Sequence, residues 1–251
     1  MKKHEYDQQT TQQERELAWK IKRSSRITAS GIAKLMTGGR GAANEFGKVA
    51  MDYIDDIVFQ IRENDLVGEI DAWQMQFGRE HEEDAVHWLR ENFMEEIKHG
   101  ASDFGSVLFM EVGDYFGSSP DGIVYSNDEP ISWLEIKVPA NKKKACNLTI
   151  EGVLPSDVVD EYKWQFIGHF IANPNLDYGW YVIYNAHNNE ITGEPYNRGR
   201  VFLIERENLA NEIEATEAKI ARVYEFIKLC VAGLQKVENI NVWWAEQEGG
   251  I

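Results

Sequence analysis

The fold is decided by two neighbouring stretches, Gly117-Ser-Ser-Pro-Asp-Gly-Ile-Val-Tyr125 and Trp133-Leu-Glu-Ile-Lys-Val-Pro139. Each contains a short run of apolar and β-branched residues, which is typical of a strand. The link between them, Ser126-Asn-Asp-Glu-Pro130, is rich in turn-forming residues. The pattern therefore predicts a β-hairpin in which Asp121 begins the first strand and lies close to the middle of the second.

Charged side chains are predicted on one face of this hairpin. Glu135 and Lys137 are two residues apart and point to the same face of the second strand. With Asp121 they would place two carboxylates and an ammonium group on a hydrophobic strand pair, which is costly unless something compensates. A divalent metal ion would do so, because hard cations bind carboxylate oxygens and a nearby lysine can orient or deprotonate a water. The alternative is an ordinary amphipathic hairpin with solvated charges. The opposite face carries the apolar residues Leu134, Ile136 and Val138.

Length and composition indicate a globular protein. The chain has 251 residues, 43% of them apolar, with 8 Trp and 10 Tyr, which is enough for a substantial core. No repeat or clear linker divides it. We therefore predict a single domain over residues 1–251, with a core from about residue 19 to 230 and a polar N-terminal extension over residues 1–10.

The cysteines and the N-terminus favour a cytoplasmic protein. Cys146 and Cys230 are isolated, so we expect reduced thiols. Residues 1–16 are polar, unlike a signal peptide, and no apolar run approaches the length of a membrane span. The net charge of −16 argues against a general nucleic-acid coat protein. Any DNA binding would need a local basic groove inside an acidic surface.

The remaining periodicity predicts helices before and after the strands. We expect helices over about residues 12–22, 49–61, 74–93, 155–172 and 208–234. Further strands are expected over residues 106–112, 180–184 and 200–205. This order predicts a mixed β-sheet covered by helices, an α/β or α+β arrangement.

Glu82 is an unusual acid within the third of these helices. At 100° per residue it shares a stripe with Ala85, Val86, Leu89 and Phe93, the apolar face. A carboxylate on a buried stripe needs a partner, and a metal or a basic group would serve. The alternative is a glutamate at the rim of the stripe with its carboxylate in water.

Cations occur at two further places. Ser30 is a good N-cap for a short helix over residues 31–36, and a helix N-terminus approached by Arg23 and Arg26 is a natural phosphate site. The alternative is a plain N-cap beside two surface arginines. The densest basic cluster, Lys142-Lys143-Lys144, follows the proposed metal strand and suits a DNA backbone, although solvated lysines are the usual interpretation.

In the helix over residues 155–172, Gln165 and His169 interrupt an apolar segment, so each is expected to form hydrogen bonds.

Six of these landmarks occur in a characteristic order. They are Trp19-x-x-x-Arg23 with Ile27-Thr-Ala-Ser30, Gly78-x-x-x-Glu82-x-x-Ala85, Ser119-Pro-Asp121-Gly, Glu135-x-Lys137-x-Pro139, Tyr162-x-x-Gln165 and Val201-Phe-Leu-Ile-Glu-Arg206. Together they resemble the YqaJ-like viral recombinase family, the phage lambda-type alkaline exonucleases of the PD-(D/E)XK nuclease superfamily. The resemblance implies an α/β fold with a PD-(D/E)XK restriction-endonuclease-like core, a mixed central β-sheet flanked by α-helices.

The resemblance also implies roles for the residues of the metal strand and its neighbours. Asp121 and Glu135 would bind the metal together with the backbone carbonyl of Ile136, and Lys137 would position or activate the attacking water. Glu82 would support the metal, directly or through water. Gln165 would help to hold the catalytic centre.

Further roles concern the DNA. Arg23, Ser30 and Ser119 would bind a 5′-phosphate. Arg40 falls where the family has a DNA-contacting arginine, and Met75 where an apolar side chain separates the terminal base pair.

The implied function is a Mg²⁺-dependent 5′→3′ exonuclease, with Mn²⁺ as another usable ion. It would act on linear double-stranded DNA, release 5′-mononucleotides and leave 3′ single strands for recombination. A homotrimer around DNA, a single-strand annealing protein as partner, and a phage or prophage origin in a bacterial host are also implied. The alternatives are a PD-(D/E)XK endonuclease and a non-catalytic DNA-binding relative. The presence of Asp121, Glu135 and Lys137 speaks against the second.

Overall fold

The computed structural model describes residues 12–40, 44–68, 73–93, 96–99, 108–150 and 160–248. The predicted extension over residues 1–10 lies outside them. The helices are α1 (Gln12–Arg23), α2 (Ile32–Leu35), α3 (Lys48–Glu63), α4 (Trp73–Asn92), α5 (Lys142–Thr149), α6 (Lys163–Ala172), α7 (Ala210–Val231) and α8 (Ile240–Glu248). Short 3-10 helices cover Ala29–Gly31, Arg206–Leu209 and Val237–Asn239. The strands are β1 (Ile27–Thr28), β2 (Ile97–His99), β3 (Met110–Val112), β4 (Phe116–Ser118), β5 (Gly122–Ser126), β6 (Glu129–Lys137), β7 (Tyr178–Tyr184) and β8 (Gly199–Glu205).

Within the described residues the strands form two sheets. The larger sheet has the order β2-β5-β6-β7-β8 and is mixed, because β6 and β7 run parallel while the other neighbours are antiparallel. The smaller sheet has the order β1-β4-β3. Helices α5 and α6 lie in the connection from β6 to β7, as a parallel pair requires. Sheets flanked by helices confirm the predicted fold class.

The predicted hairpin is formed by β5 and β6. Its turn consists of Asn127 and Asp128, whose φ angles are 50° and 65°, and these two residue types tolerate the left-handed region better than most. Because the turn is so tight, pairing begins at Ser126 and Glu129. The second strand is therefore four residues longer at its start than the predicted Trp133.

One face of β6 is apolar and buried, as the alternation predicts, and the opposite face, which carries Glu135, is also buried in an apolar layer. Leu134 and Ile136 pack in one cluster with Val86 and Leu89 of α4. On the other face, the Trp133 ring stacks on Phe166 of α6 at a centroid distance of 5.4 Å. The Glu135 side chain points to this second face and is only 1% exposed. The fold thus buries a carboxylate between β6 and α6.

Some predicted elements differ from the observed ones. The strand expected over residues 106–112 is observed at Met110–Val112, and it belongs to the smaller sheet and not to that of the hairpin; residues 106 and 107 lie outside the described ranges. The helix expected from residue 155 begins at Lys163, with a turn at residues 160–162, and its predicted first residues are not described. Strands β1, β2 and β4 were not predicted, because two or three residues are too few to show a period.

Across the described ranges, no helix combines the length and apolar character that a membrane span needs.

Candidate active site

The hairpin fixes Asp121 against the middle of β6 through two backbone contacts. The Asp121 N–H donates to the Leu134 carbonyl at 2.9 Å. The N–H of Ile136 donates to Asp121 Oδ2 at 2.6 Å. Asp121 therefore lies beside Glu135 and Lys137, as the sequence predicts.

The buried Glu135 carboxylate is bound on both of its oxygens. Its Oε1 accepts from the Lys137 ammonium and from Gln165 Nε2, the latter at 2.6 Å. Its Oε2 lies 2.9 Å from His169 Nε2. Helix α6 supplies both Gln165 and His169, which are four residues apart and share one helical face. The hydrogen-bonding roles predicted for these two residues are confirmed.

The surroundings of Asp121 and Glu135 shift the pKa values of these two carboxyl groups in opposite directions. Burial raises the pKa of Asp121 well above its usual value, and the charges of Glu135 and Glu82 raise it further. Burial also raises the pKa of Glu135, but the Lys137 charge and the His169 hydrogen bond outweigh burial and lower it to about 2. Burial lowers the pKa of Lys137, yet the charges of Glu135 and Asp121 raise it overall. The metal-free site therefore carries a permanent anion, a firmly protonated lysine and a second carboxyl that resists ionisation.

Glu82 projects from α4 toward the same site. Its carboxylate is 3.5 Å from His99 Nε2 and its side chain is 30% exposed. Burial raises the pKa of Glu82; the neighbouring His99 lowers it by less, and the charge of Glu135 adds to the increase. The residues predicted on its stripe, Ala85, Val86 and Leu89, are buried, but Phe93 is 58% exposed because it follows the last residue of the helix. Glu82 thus has the basic partner that its position calls for.

His99 connects Glu82 to the hairpin and was missed by the sequence analysis. Its Nδ1 lies 2.6 Å from the Asp121 carbonyl oxygen. Strand β2, which carries it, pairs with β5 so that His99 faces Gly122. A lone histidine on a three-residue strand gives no periodic signal that could have identified it.

The residues present suit a hard divalent cation. Asp121, Glu135 and the carbonyl of Ile136 offer oxygen ligands. A cation bound there would offset the burial and the charges of Glu135 and Glu82 that raise the pKa of Asp121. The described residues include no group of three His, Cys, Asp or Glu side chains arranged to hold a metal. Two carboxylates and a carbonyl remain a sufficient protein set for Mg²⁺, which retains waters and binds substrate phosphate oxygens.

The three residues assigned to a phosphate are brought together around Trp19. Arg23 lies over the Trp19 ring at 4.1 Å and donates from Nη2 to Ser30 Oγ at 2.9 Å. The Trp19 indole N–H donates to Ser119 Oγ at 3.2 Å. Ser30 is not a helix N-cap, which corrects the sequence prediction: it lies inside the 3-10 helix, and its hydroxyl is used by Arg23. The phosphate assignment therefore depends on the arginine and the hydroxyls, without a helix N-terminus.

Trp19, Arg23 and Ser30 border a cavity of about 540 Å³, whose lining does not include Ser119. Its lining contains four cations, Lys20, Arg23, Arg26 and Lys34, and Met75 also reaches it. Helix α3, on which the sequence showed no chemistry, contributes Tyr53, Asp56 and Gln60. The Tyr53 hydroxyl accepts from the backbone N–H of Thr28 at 3.0 Å, and Gln60 Oε1 accepts from that of Ser25 at 2.8 Å. Helix α3 therefore holds the segment that precedes the 3-10 helix of Ser30.

The predicted DNA-contacting residues are more scattered. Lys142 pairs with Glu190 and Lys144 with Glu161 at the start of α5. Lys143 is exposed and forms no ion pair with any described residue. Arg40 is exposed in the loop before α3, outside the lining of the cavity, and Met75 is 50% exposed in the first turn of α4. Met75 therefore lies among the residues around Arg23, whereas Arg40 and the three lysines of α5 do not.

The YqaJ-like viral recombinase domain matches the chain over residues 18–170. Among solved structures, an alkaline exonuclease from Laribacter hongkongensis is 23% identical with a TM-score of 0.59, covering 87% of this chain and 100% of that one. The same enzyme in complex with dAMP gives the same values. A phage-related exonuclease from Haemophilus somnus 129PT is 12% identical with a TM-score of 0.60, covering 84% of this chain and 96% of that one. No curated protein sequence matches the chain. The structural neighbours share the fold.

Proposed function

Because the chain belongs to the YqaJ-like viral recombinase family, we propose that it is a metal-dependent exonuclease that degrades linear double-stranded DNA from 5′ ends. One observation carries the proposal, namely the short link between the carboxylate site and the cationic cavity. Ser119, which Trp19 binds at the cavity, is two residues from Asp121. A terminal phosphate held at Arg23 would lie at a fixed distance from the scissile bond.

The charge of the cavity supports the 5′→3′ polarity. A 5′-phosphorylated end carries a terminal dianion, whereas a 3′ end carries a neutral hydroxyl. Four cations and a single acid, Asp56, line the cavity within the described residues, so the phosphate is the end that it would bind. The dAMP complex of the Laribacter enzyme supports a 5′-mononucleotide as the product.

Mg²⁺ is the proposed cofactor, with Mn²⁺ as a substitute, held by Asp121, Glu135 and the Ile136 carbonyl. It would polarise the phosphodiester and lower the pKa of a bound water. Burial lowers the pKa of Lys137, but the charges of Glu135 and Asp121 raise it overall, so Lys137 would enter the reaction as an ammonium ion. It would therefore donate hydrogen bonds to the water or to the developing phosphoryl charge, and positioning is favoured over proton abstraction. Gln165 holds Glu135 Oε1 at 2.6 Å, and Glu82 would bind an outer water.

The proposed partners are linear duplex DNA, two further copies of the chain in a ring, and a phage single-strand annealing protein. A ring would explain how an acidic chain binds DNA, since only the inner channel has to be basic. The family membership supports these partners, and so does the local concentration of cations around Arg23.

The test is digestion of a 5′-phosphorylated linear duplex in Mg²⁺, beside a covalently closed plasmid. We expect mononucleotides and 3′ single strands from the linear DNA and an intact plasmid. Asp121→Asn and Glu135→Gln should each abolish cleavage. The matched control Glu129→Gln, an exposed acid on the same strand, should keep it. A cut plasmid would indicate an endonuclease, and DNA binding without any cleavage would indicate a non-catalytic relative.

A further inference from the structure

His169 occupies a buried position between the two parts of the site. It lies on α6 with 0% exposure, and both ring nitrogens have partners. Nε2 is 2.9 Å from Glu135 Oε2, and Nδ1 is 2.5 Å from Ser118 Oγ. Ser118 is itself fully buried and directly precedes Ser119. The imidazole thus connects β4, which leads to the phosphate-binding residues, with the carboxylate on β6.

The partners determine which nitrogen carries the hydrogen. An ionised carboxylate only accepts hydrogen bonds, so His169 Nε2 is a donor to Glu135. In the neutral ring Nδ1 then accepts, and the Ser118 hydroxyl is its donor. The hydrogen bond from Ser118 to Nδ1 thus orients the ring so that Nε2 can hold the Glu135 carboxylate.

The packing around His169 leaves the ring little freedom. It contacts the Trp133 ring at a centroid distance of 4.9 Å. The adjacent Gly168 brings α6 so close to the 3-10 helix that a Cβ there would lie 2.5 Å from that of Ala29. Helix α6 is therefore fixed against the segment that carries Ser30, and the imidazole is fixed with it.

The Glu135 carboxylate depends on this contact at one oxygen. Lys137 and Gln165 both bind Oε1, whereas among the described residues His169 is the donor at Oε2. Without it, a fully buried oxygen would lose its hydrogen bond, and the carboxylate would gain from rotating or taking up a proton. Either change would alter how Glu135 faces the Asp121 carboxylate.

We propose that His169 is a positioning residue that fixes the Glu135 carboxylate for metal binding, and that Ser118 sets the orientation of its ring. The inference rests on the proposed metal-dependent function. It adds a buried Ser118–His169–Glu135 chain that joins the strand before the phosphate-binding Ser119 to a metal ligand.

The test measures Mn²⁺ affinity by electron paramagnetic resonance on the purified full chain without DNA. It compares two variants in which His169 is replaced by amide side chains of different length. His169→Gln places an N–H donor near the position of Nε2, whereas His169→Asn is too short to reach Glu135. We expect Gln to bind Mn²⁺ within about threefold of wild type and Asn to bind roughly 10–100-fold more weakly, the usual effect of losing such a support. Ser118→Ala should weaken binding about fivefold.

Two controls separate positioning from a loss of folding. Phe166→Leu disturbs the same helix and the same Trp133 contact without touching a carboxylate oxygen, so Mn²⁺ affinity should stay within twofold. Circular dichroism checks each variant. If neither histidine variant folds, Ser118→Ala decides the question.

Equal Mn²⁺ affinities of the Gln and Asn variants would overturn the proposal, as would an unchanged affinity in Ser118→Ala where that variant decides. A loss of Mn²⁺ affinity in Phe166→Leu as large as that in His169→Asn would also overturn it. If wild type binds Mn²⁺ and Asp121→Asn does not, the metal site stands whatever the result at His169. A wild type that binds no Mn²⁺ removes the metal site and this inference together.

Discussion

Asp121 and Glu135 carry the same functional group, yet the protein shifts their pKa values in opposite directions. Glu135 has Lys137, Gln165 and His169 as donors, so its anion is stabilised. Asp121 receives a backbone N–H, but burial and then the charges of Glu135 and Glu82 disfavour its anion and raise its pKa. Without a metal the site is therefore under electrostatic strain at Asp121.

This strain predicts that Asp121→Asn stabilises the metal-free protein. The folded pKa of Asp121 lies above the unfolded one, so folding favours the neutral carboxyl. The stability of the metal-free wild type should consequently fall as pH rises above the ordinary aspartate pKa and through the raised folded value. The amide cannot ionise, and its oxygen can still accept from Ile136. In EDTA near neutral pH we expect a higher Tm for the variant, by about 2–4 °C for each kcal/mol relieved.

Thermal unfolding at several pH values measures this effect. The Tm difference should shrink in acid, where the wild-type carboxyl is protonated as well. Mg²⁺ should raise the Tm of wild type more than that of Asp121→Asn. A variant that is less stable than wild type in EDTA at neutral pH would contradict the assigned strain.

A second prediction at the residue scale concerns Arg23. We expect a 5′-phosphorylated duplex to be digested much faster than its 5′-hydroxyl counterpart, and Arg23→Ala to remove most of that preference. A charge-assisted contact contributes about 1.5–3 kcal/mol, or roughly 10–150-fold in relative rate. Arg26→Ala is the matched control in the same cavity, since Glu111 and the Lys22 carbonyl already bind its guanidinium. Equal rates on both ends with wild type would exclude the phosphate pocket.

At the scale of elements, helix α5 shows how neighbouring lysines can differ. The side chain of Asn141 caps its N-terminus by accepting from the Lys144 N–H at 2.9 Å. Glu190 and Glu161 offset the charges of Lys142 and Lys144, whereas Lys143 has no such partner within the described part of the chain. Sequence alone presents the three lysines as equivalent, and the fold makes them unequal.

We therefore predict that Lys143→Glu weakens DNA binding more than Lys142→Glu or Lys144→Glu. Binding is measured in EDTA on a linear duplex at several salt concentrations, so that no cleavage interferes. If Lys143 contacts a phosphate, its variant should bind about tenfold more weakly at low salt, and the slope of log affinity against log salt should fall by about 1. Three variants with the same affinity and slope as wild type would place α5 away from the DNA.

At the scale of the whole molecule, the net charge of −16 has to be reconciled with an anionic substrate. The cavity around Arg23 concentrates cations on a chain that is acidic overall, so attraction to DNA is local. A ring of subunits would orient such surfaces inward and leave the acidic surface outside.

The corresponding prediction is a trimer in solution. Light scattering of the free protein at micromolar concentration should give about three times the chain mass of 28.8 kDa. Glu129→Gln, which replaces an exposed side chain on β6, serves as the control and should give the same mass as wild type. A strict monomer, both free and with DNA, would refute the ring and leave the nuclease proposal standing.

The sequence by itself determined the features that depend on local pattern. The hairpin, the opposite faces of β6 and the alignment of Glu135 with Lys137 follow from a period of two and from turn-forming residues. The stripe that carries Glu82 follows from the period of a helix. Such features need only neighbouring residues, and the structure confirms them except at Phe93, which lies beyond the end of α4.

Only the tertiary structure decided which distant groups meet. His169 binds Glu135 across 34 residues, and Trp19 binds Ser119 across 100. Ser30 was mistaken for an N-cap because the local pattern is correct for one, but β1 pairs with β4 and Arg23 takes the hydroxyl. These contacts depend on strand order and on how α6 packs across the larger sheet. A local pattern carries no record of either, because the side chains are joined by the folding of the whole chain and not by any period along it.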